Sequence, residues 1–448
     1  MEQYYKYRHI ASVVIEMQTP LAIGSGQKDL LTDSLVMTDV NGLPYLPGTT
    51  IAGIVRAACQ DSKQSNLWGD KGHGSEIIFS EGRVLNSKGE VTDDLLTEEE
   101  IDNDPLLHSY KHGQIIRQHV RINEYGTSEN HGKFDQQVVM AGSRFCFEIE
   151  LLATSEDKTQ MDKIVSVLSR KSFRIGGGSR KGFGQIQVVG IEIKSYDLSL
   201  NEQLEAYNKR GSKLHVPTGK ECGCVDEVPY HTYCMELKPK DFFLFGTGFG
   251  DNQGDADITS VTEDRVRWEA SAGKIVKDCI LIPAASIKGA LRHRLAYHYN
   301  RLKECYVDNE EETDRPGNTV DNEAVKALFG DDKTPGKVLF SDVLQEVDPL
   351  DVYPRKLVNH VSIDAFTGGS IESALFTEQV NDTPQYTYRI EILMPKSLDT
   401  VNPICQAWEM TLKDVCRGML PLGNGVNRGN GIFIGNLYKD DSLIYGNR

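Results

Sequence analysis

The stretch LPGTTIAGIVR at residues 46–56 returns as IPAASIKGALR at residues 282–292. Three further motifs return in the same order along the chain: LWGD at 67–70 as LFGD at 328–331, HVRIN at 119–123 as HVSID at 360–364, and GGGSRKGFG at 176–184 as GNGVNRGNG at 423–431. Four ordered matches indicate that two copies of one domain are fused in tandem. The copies are far longer than the roughly 20–45 residues of a solenoid repeat, so each should form its own core.

A polar stretch that contains glycine and lysine is the best candidate for the boundary between the copies. It places the first domain at residues 1–206, the linker at residues 207–227 and the second domain at residues 228–448. Turn-forming residues without hydrophobic periodicity are typical of a linker. We therefore call the first domain copy one and the second domain copy two.

The composition is that of a folded soluble protein, with 448 residues of which 39% are hydrophobic and 25% are charged. No apolar run approaches the ~20 residues needed to cross a bilayer, and the start of the chain lacks the apolar region of a secretory signal. We therefore expect a cytoplasmic protein with no membrane partner. The nine cysteines are scattered, which favours free buried thiols over a disulfide framework.

The net charge of −16 argues, taken alone, against nucleic-acid binding, because phosphate contacts need clustered lysine and arginine. Most of the net negative charge lies in two stretches between the shared motifs, at residues 93–104 and 308–323. We interpret both stretches as solvated insertions. The rest of the duplicated body is then close to neutral, and its basic residues are concentrated in the motifs.

Each copy begins with a strand-like run, followed by a glycine turn and a loop that carries aspartate. A hydroxyl residue followed by helical apolar spacing predicts helices at residues 50–58 and 286–295. Alternating apolar and polar residues predict strands at 143–153 and 386–393, and residues 160–168 have helical spacing. Strands and helices mixed within each copy predict α+β domains, in which helices cover one face of a sheet.

The glycine-rich segment late in each copy surrounds basic residues, Arg180 and Lys181 in copy one and Arg428 in copy two. Glycine lets backbone N–H groups approach an anion closely, and arginine adds a bidentate phosphate donor. A tight turn before the closing strand is the alternative interpretation. The retention of glycine and arginine in both copies favours contact with a phosphate group.

The helix that follows each proline motif carries Arg56 in copy one and Arg292 at the matching position in copy two. The backbone N–H groups at a helix N-terminus favour binding of an anion. Lys288 adds a positive charge there in copy two, whereas copy one has Ala52 at the same position. A core helix with a solvated arginine is an equally good interpretation of either copy alone.

Together these motifs resemble the RAMP superfamily of CRISPR proteins, and in particular the Cas-seven-type backbone subunits of type III effector complexes. The resemblance rests on the glycine turn, the aspartate loop, the motifs LPYLPGTTI, LWGD and FSE, and the late glycine-rich loop. A tandem pair is similar to the double backbone subunit of type III-D variants. The resemblance implies two tandem modified RRM domains of ferredoxin-like fold with thumb hairpin insertions. It also implies guide RNA, target RNA and other CRISPR effector subunits as partners.

The same resemblance implies an endoribonuclease site in which an aspartate holds a divalent metal beside the target RNA. Asp33 matches the catalytic aspartate of the family. In copy two, aligning Val36 with Val261 leaves the carboxylate one residue out of register. Asp257 is then the first choice for the catalytic residue and Asp255 the second. The implied metal ligands are Asp33 and Asp257, and the implied cofactor is Mg²⁺, or Mn²⁺, held by one carboxylate and waters. An aspartate in an ordinary turn is the alternative.

Two histidines at matching places, His119 and His360, are candidates for acid–base assistance and for RNA contact. A structural role is the commoner one for a histidine at a strand end. The thumb hairpins are predicted to follow the histidine motifs, within residues 123–139 and 364–376. Aromatic residues in these ranges are candidate wedges between bases: Tyr125, Phe134 and Phe366.

Two other functions remain open beside guide-directed cleavage of target RNA. The first is a purely structural backbone in which one or both sites are inactive. The second is a guide-RNA-processing RAMP endonuclease that uses histidine without a metal. The two copies and the aspartate loop argue against this second alternative.

Overall fold

A computed structural model describes residues 5–29, 32–59, 65–122, 128–217, 219, 229–247, 250, 255–305, 322–351, 354–372, 374–399 and 403–446. The elements of copy one are β1 (Tyr7–Met17), β2 (Tyr45–Leu46), α1 (Gly48–Cys59), α2 (Ser65–Trp68), β3 (Ile77–Phe79), β4 (Gly82–Val84), α3 (Glu98–Asn103), α4 (Pro105–His112), β5 (Ile115–Ile122), β6 (Ser128–Val138), β7 (Arg144–Ala153), α5 (Thr159–Leu168), β8 (Ile186–Asp197) and α6 (Asn201–Asn208).

Copy two repeats the core of this order, with a long β-hairpin before its first helix. Its elements are β9 (Tyr230–Pro239), β10 (Ile258–Thr259), β11 (Thr262–Glu269), β12 (Ala272–Ile282), α7 (Ala284–Leu302), α8 (Glu323–Phe329), β13 (Leu339–Phe340), β14 (Val343–Gln345), β15 (Arg355–His360), β16 (Phe376–Asn381), β17 (Tyr388–Pro395), α9 (Ile404–Cys416), β18 (Phe433–Lys439) and β19 (Ser442–Tyr445). The predicted helices and strands are present, and the helix predicted at 286–295 continues to Leu302.

A central antiparallel sheet organises each copy. In copy one the strand order is β2-β4-β7-β1-β8, with β3 also beside β7, and in copy two it is β13-β17-β9-β18-β19. Alternate residues of β1 and β9 point into the cores, because successive side chains of a strand lie on opposite faces. Helices α1 and α5 cover the sheet of copy one, and α7 and α9 cover that of copy two. The prediction of two tandem α+β domains is confirmed.

A two-stranded hairpin, which we call the thumb, projects from each copy. It is formed by β5 and β6 in copy one and by β15 and β16 in copy two. His119 pairs with Phe134 across the first thumb, and His360 pairs with Phe376 across the second. The predicted thumb ranges, 123–139 and 364–376, therefore begin too late, since both histidines lie within the first thumb strand, but the first range includes the second strand of the first thumb.

The hairpin of β11 and β12 joins the two copies. The Val266 N–H donates to the carbonyl of Ala141 at 2.8 Å, and the Trp268 indole N–H donates to the carbonyl of Gly142 at 2.7 Å. Val266 is also part of the hydrophobic core of copy one. Backbone hydrogen bonds and buried apolar contacts therefore both link this hairpin of copy two to copy one.

The two acidic stretches were predicted to be solvated insertions, and residues 207–227 were predicted to be a linker. In the acidic stretch 93–104, Ile101 and Asp104 are buried, so this stretch is not a fully solvated insertion. The second acidic stretch lies almost entirely outside the described residues. In the predicted linker, Leu214 and Val216 pack against buried residues of copy one.

Within the part of the chain that the structure describes, no helix is both long and apolar enough to cross a membrane.

Candidate metal and nucleic-acid site

Asp33 is exposed and lies beside the second strand of the first thumb. Its Oδ2 atom accepts a hydrogen bond from the backbone N–H of Asp135 at 3.0 Å. The next residue, Ser34, forms a parallel bridge with Gln136. The loop is thereby attached to the thumb as a short extra strand, which fixes where the carboxylate points.

Asp257 occupies the same position in copy two. It is exposed, and its Oδ2 atom accepts a hydrogen bond from the backbone N–H of Thr377 at 2.8 Å. Thr377 follows Phe376 on the second thumb strand as Asp135 follows Phe134. Ile258, like Ser34, continues as a parallel partner of the thumb strand.

Backbone pairing corrects the alignment of the two aspartate loops. Val36 bridges Gly24 in copy one, whereas Ser260 bridges Gly246 in copy two. The counterpart of Val36 is therefore Ser260 and not Val261. With this shift of one residue, Asp257 aligns with Asp33. Asp255 is exposed but lies two residues away from that position.

A stack of a cation, a phenyl ring and an imidazole ring lies beside each aspartate. In copy one, the rings of His119 and Phe134 are 4.6 Å apart and the Lys181 ammonium lies 4.4 Å from the Phe134 centroid. In copy two, the corresponding stack consists of His360, Phe376 and Arg428, with a ring separation of 4.8 Å and a cation distance of 5.4 Å. Arg428 therefore corresponds to Lys181, in agreement with their positions in the two glycine-rich motifs.

The candidate wedge residues have different surroundings. Phe134 lies between His119 and Lys181, near the middle of the two strands of the first thumb. Phe366 is 99% exposed in the turn of the second thumb, where the Asp364 carboxylate accepts hydrogen bonds from the N–H groups of Phe366 and Thr367. Tyr125 lies outside the described residues.

The two stacks differ in the polar residue beneath the histidine. In copy two the fully buried Glu378 accepts a hydrogen bond from Arg428 and contacts His360 Nε2 at 3.0 Å. Its counterpart in copy one is the neutral Gln136. His119 Nε2 is buried and has no hydrogen-bond partner among the described residues. Burial, and then the charges of Lys181 and Arg117, lower the pKa of His119 to about 4.

The glycine-rich loops have the same backbone in both copies. The φ angle is positive at Gly176, Gly178, Gly182 and Gly184, and at their four counterparts Gly423, Gly425, Gly429 and Gly431. The N–H of Gly177 donates to the carbonyl of Ala22 at 2.7 Å, and that of Asn424 donates to Leu244 at 2.6 Å. Because these two amides already bind the glycine turn of their own copy, the cations of the loops are the stronger candidates for phosphate contact.

The structure brings four of the predicted RNA-binding cations together at the junction between copies. Burial lowers the pKa of Lys288, and the nearby charges of Arg292, Lys181 and Arg180 lower it further. Cations that repel one another in this way favour an anionic ligand. The Arg180 guanidinium also donates to the carbonyl of Gly336 in copy two. Arg56 is exposed at the matching position on α1, in the other copy.

The sequence analysis missed a buried ion cluster beside the first thumb. The Arg117 guanidinium donates to Glu263 and, at 2.9 Å, to Asp342 Oδ2, and all three residues are buried. Asp342 Oδ1 accepts from the N–H of Ala284, the first residue of α7. Burial alone would lower the pKa of Arg117, but the carboxylates of Glu263 and Asp342 raise it above its ordinary value. The acidic end of the repeated Phe-Ser-Glu and Phe-Ser-Asp motifs, at residues 79–81 and 340–342, was the only signal for this cluster in the sequence.

Comparisons with known proteins agree with this duplicated architecture. The family model described as the RAMP superfamily matches residues 14–187 and again residues 214–434, which together make up more than half of the chain. No curated protein matches the chain. A cryo-EM structure of the type III-B Cmr-beta complex bound to cognate target RNA contains a similar chain with 20% sequence identity and a TM-score of 0.31. That alignment covers 42% of this chain and 61% of the other, which is less than two thirds of its length. On the two family matches, one in each copy, the chain belongs to the RAMP superfamily.

Proposed function

We propose that this chain is a backbone subunit of a type III CRISPR effector complex that binds guide RNA through both copies and cleaves target RNA at two sites. One observation carries the proposal. Two loops of different sequence hold an exposed carboxylate, Asp33 or Asp257, against the same backbone position of a thumb strand. An exposed carboxylate kept at the same point in two divergent loops is what a shared metal-binding role would require.

The residues fit a site for Mg²⁺ or Mn²⁺, because each loop offers one exposed carboxylate whose orientation is set by a backbone hydrogen bond. A bound ion would supply stabilisation for the negative charge that develops on the cleaved phosphate. In-line attack by a 2′-hydroxyl requires a nucleotide that is splayed out of helical stacking. A thumb beside each aspartate is well placed to separate neighbouring bases, and Phe366 offers an exposed ring for stacking.

His119 is better suited to positioning than to proton transfer. With a pKa of about 4 it is neutral near pH 7, so it has no proton to give as an imidazolium at that pH. Its ring stacks on Phe134 and supports the ring that lies under Lys181. We therefore assign His119 to holding Lys181 in place.

Guide RNA is proposed to cross the junction between copies at Lys181, Lys288 and Arg292. Their mutual repulsion would be relieved by a phosphate. At the outer end of copy two, Arg428 would meet the next stretch of guide. The remaining effector subunits are expected to continue the protein surface on either side.

Cleavage mapping in the assembled complex tests the proposal. Asp33→Ala should slow one cut on a long complementary RNA in Mg²⁺ at least ~100-fold, and Asp257→Ala should do the same to the other cut. Target binding should be unchanged in both variants. Asp255→Ala is the matched control from the same loop and should keep both cuts.

Three results would contradict parts of the proposal. Loss of both cuts in Asp33→Ala would mean one composite site. Normal cutting by Asp257→Ala together with loss in Asp255→Ala would reject the backbone alignment of the loops. If neither Asp33 nor Asp257 affects any cut, the chain is a structural backbone.

A further inference from the structure

Three potential metal ligands converge on the surface of copy one, in the helical segment that precedes the first thumb. Asp102 is near the end of α3, and His108 and His112 lie one turn apart on α4. His108 Nδ1 is 3.1 Å from Asp102 Oδ1, and His112 Nε2 is 3.6 Å from the same oxygen. One donor atom of each residue lies within 4.8 Å of the other two.

These separations match the edges of a metal coordination polyhedron. Zinc binds imidazole nitrogen and carboxylate oxygen at about 2.0–2.1 Å, so neighbouring ligands of a tetrahedral site lie roughly 3.3 Å apart. The two distances to Asp102 bracket this value. Histidines at positions i and i+4 of a helix present their rings on one face, as chelation requires.

The helices that carry the ligands are held in place independently of any ion. Thr97 and Glu100 form a reciprocal capping box at the start of α3. The buried Asp104 accepts hydrogen bonds from the N–H groups of Leu106 and Leu107 and so caps α4. Buried apolar side chains anchor the opposite face of the two helices: Ile101, Leu106, Leu107 and Tyr110. The exposed face is therefore presented on a rigid support.

The local charge also favours a cation. Asp102 lies in the acidic stretch, and the one lysine on α4, Lys111, is paired with Glu98 at 2.7 Å. His112 is the last residue of α4, at the negative end of the helix dipole. About half of each ligand side chain is exposed, which leaves room for a water ligand.

We propose that Asp102, His108 and His112 form a binding site for one transition-metal ion of the zinc type, with water as a further ligand. Two imidazoles and one carboxylate suit Zn²⁺ or Co²⁺ and disfavour Mg²⁺, which prefers oxygen ligands. The site is separate from Asp33 and Asp257 and does not depend on the proposed RNA cleavage. The ion would link α3 to α4. On the buried face of α4, Leu106 lies next to Gly273 of copy two.

Titration with Co²⁺ in excess Mg²⁺ tests this site in the full-length protein after treatment with a chelator. Bound Co²⁺ should show the visible bands of a low-symmetry nitrogen and oxygen site without thiolate-to-cobalt charge transfer. The absence of thiolate charge transfer would show that cysteine does not bind the cobalt. Zn²⁺ should displace the Co²⁺ with a stoichiometry of one.

His108→Ala, His112→Ala and the isosteric Asp102→Asn should each weaken Co²⁺ binding at least tenfold with an unchanged circular dichroism spectrum. His215→Ala is the matched control, since His215 is an exposed histidine paired with one carboxylate, Glu192, at 2.9 Å. Equal binding by the wild type and the His108→Ala/His112→Ala double variant would overturn the proposal. So would a cobalt spectrum with thiolate charge transfer that is lost in none of the three variants.

Discussion

The aspartate sites beside the two thumbs have the same backbone pairing and different charges. In both copies an aspartate binds the thumb strand through the same backbone hydrogen bond, and a cation covers a phenyl ring stacked on histidine. Copy one places Gln136 under this stack, whereas copy two places the buried Glu378 there, bound to Arg428 and His360. The difference teaches that backbone pairing preserves the position of the carboxylate, while the surrounding charges are free to diverge.

The largest effect is expected at Arg117, a buried residue of the first thumb whose counterpart in the second thumb is Val358. Arg117→Ala would leave Glu263 and Asp342 buried without their cation, and breaking such a pair costs about 3–5 kcal/mol. Chemical unfolding should report this loss. Val358 pairs with Glu378 as Arg117 pairs with Gln136, so Val358→Ala is the matched control. It should cost about 0.5–1.5 kcal/mol, since it removes partly buried methyl groups. Equal losses at both positions would show that the ion cluster does not stabilise the junction.

A second comparison concerns the cations of the first glycine-rich loop. Lys181→Ala should weaken guide RNA binding about tenfold for all sequences alike and reduce the salt dependence by about one phosphate contact. Arg180→Ala should have a smaller effect, because this guanidinium already donates to the Gly336 carbonyl. Filter binding over a range of salt concentrations measures both. A larger effect of Arg180→Ala, or a loss that depends on RNA sequence, would contradict the proposal that Lys181 is the phosphate contact of this loop.

A third comparison gives copy one the carboxylate of copy two. Gln136→Glu should raise the pKa of His119 from about 4 by one to three units, because a nearby opposite charge stabilises the imidazolium. Histidine NMR titration measures this shift. Gln118→Glu is the control on the other face of β5, adjacent in sequence to His119, and should change the pKa less.

The lowered pKa of His119 also has a consequence for stability. A folded-state pKa below the unfolded value of 6.5 gives stability that is complete above about pH 6.5 and lost as the pH falls towards 4. His119→Gln should remove this loss, which we expect to be about 1–2 kcal/mol after allowing for partial exposure of the ring. Unfolding at pH 7 and pH 4.5 checks it. An unchanged pH dependence in His119→Gln would mean that other groups control acid stability.

The sequence by itself determined the duplication, the α+β class and the starts of the principal helices. These features rest on local signals, namely repeated motifs, apolar periodicity and hydroxyl residues before helices, which act over a few residues. Asp33 and Asp257 were also found from the sequence, through the resemblance to a known family.

Only the tertiary structure decided which residues meet across long separations. Pairing of Val36 and Ser260 with the glycine turns set the register of the aspartate loops, and no local pattern distinguishes Ser260 from Val261. Likewise, the partners of Arg117 lie in copy two, 146 and 225 residues further along the chain. Backbone hydrogen bonds and buried charges are satisfied by whatever the fold brings near, so their partners follow from packing rather than from sequence spacing.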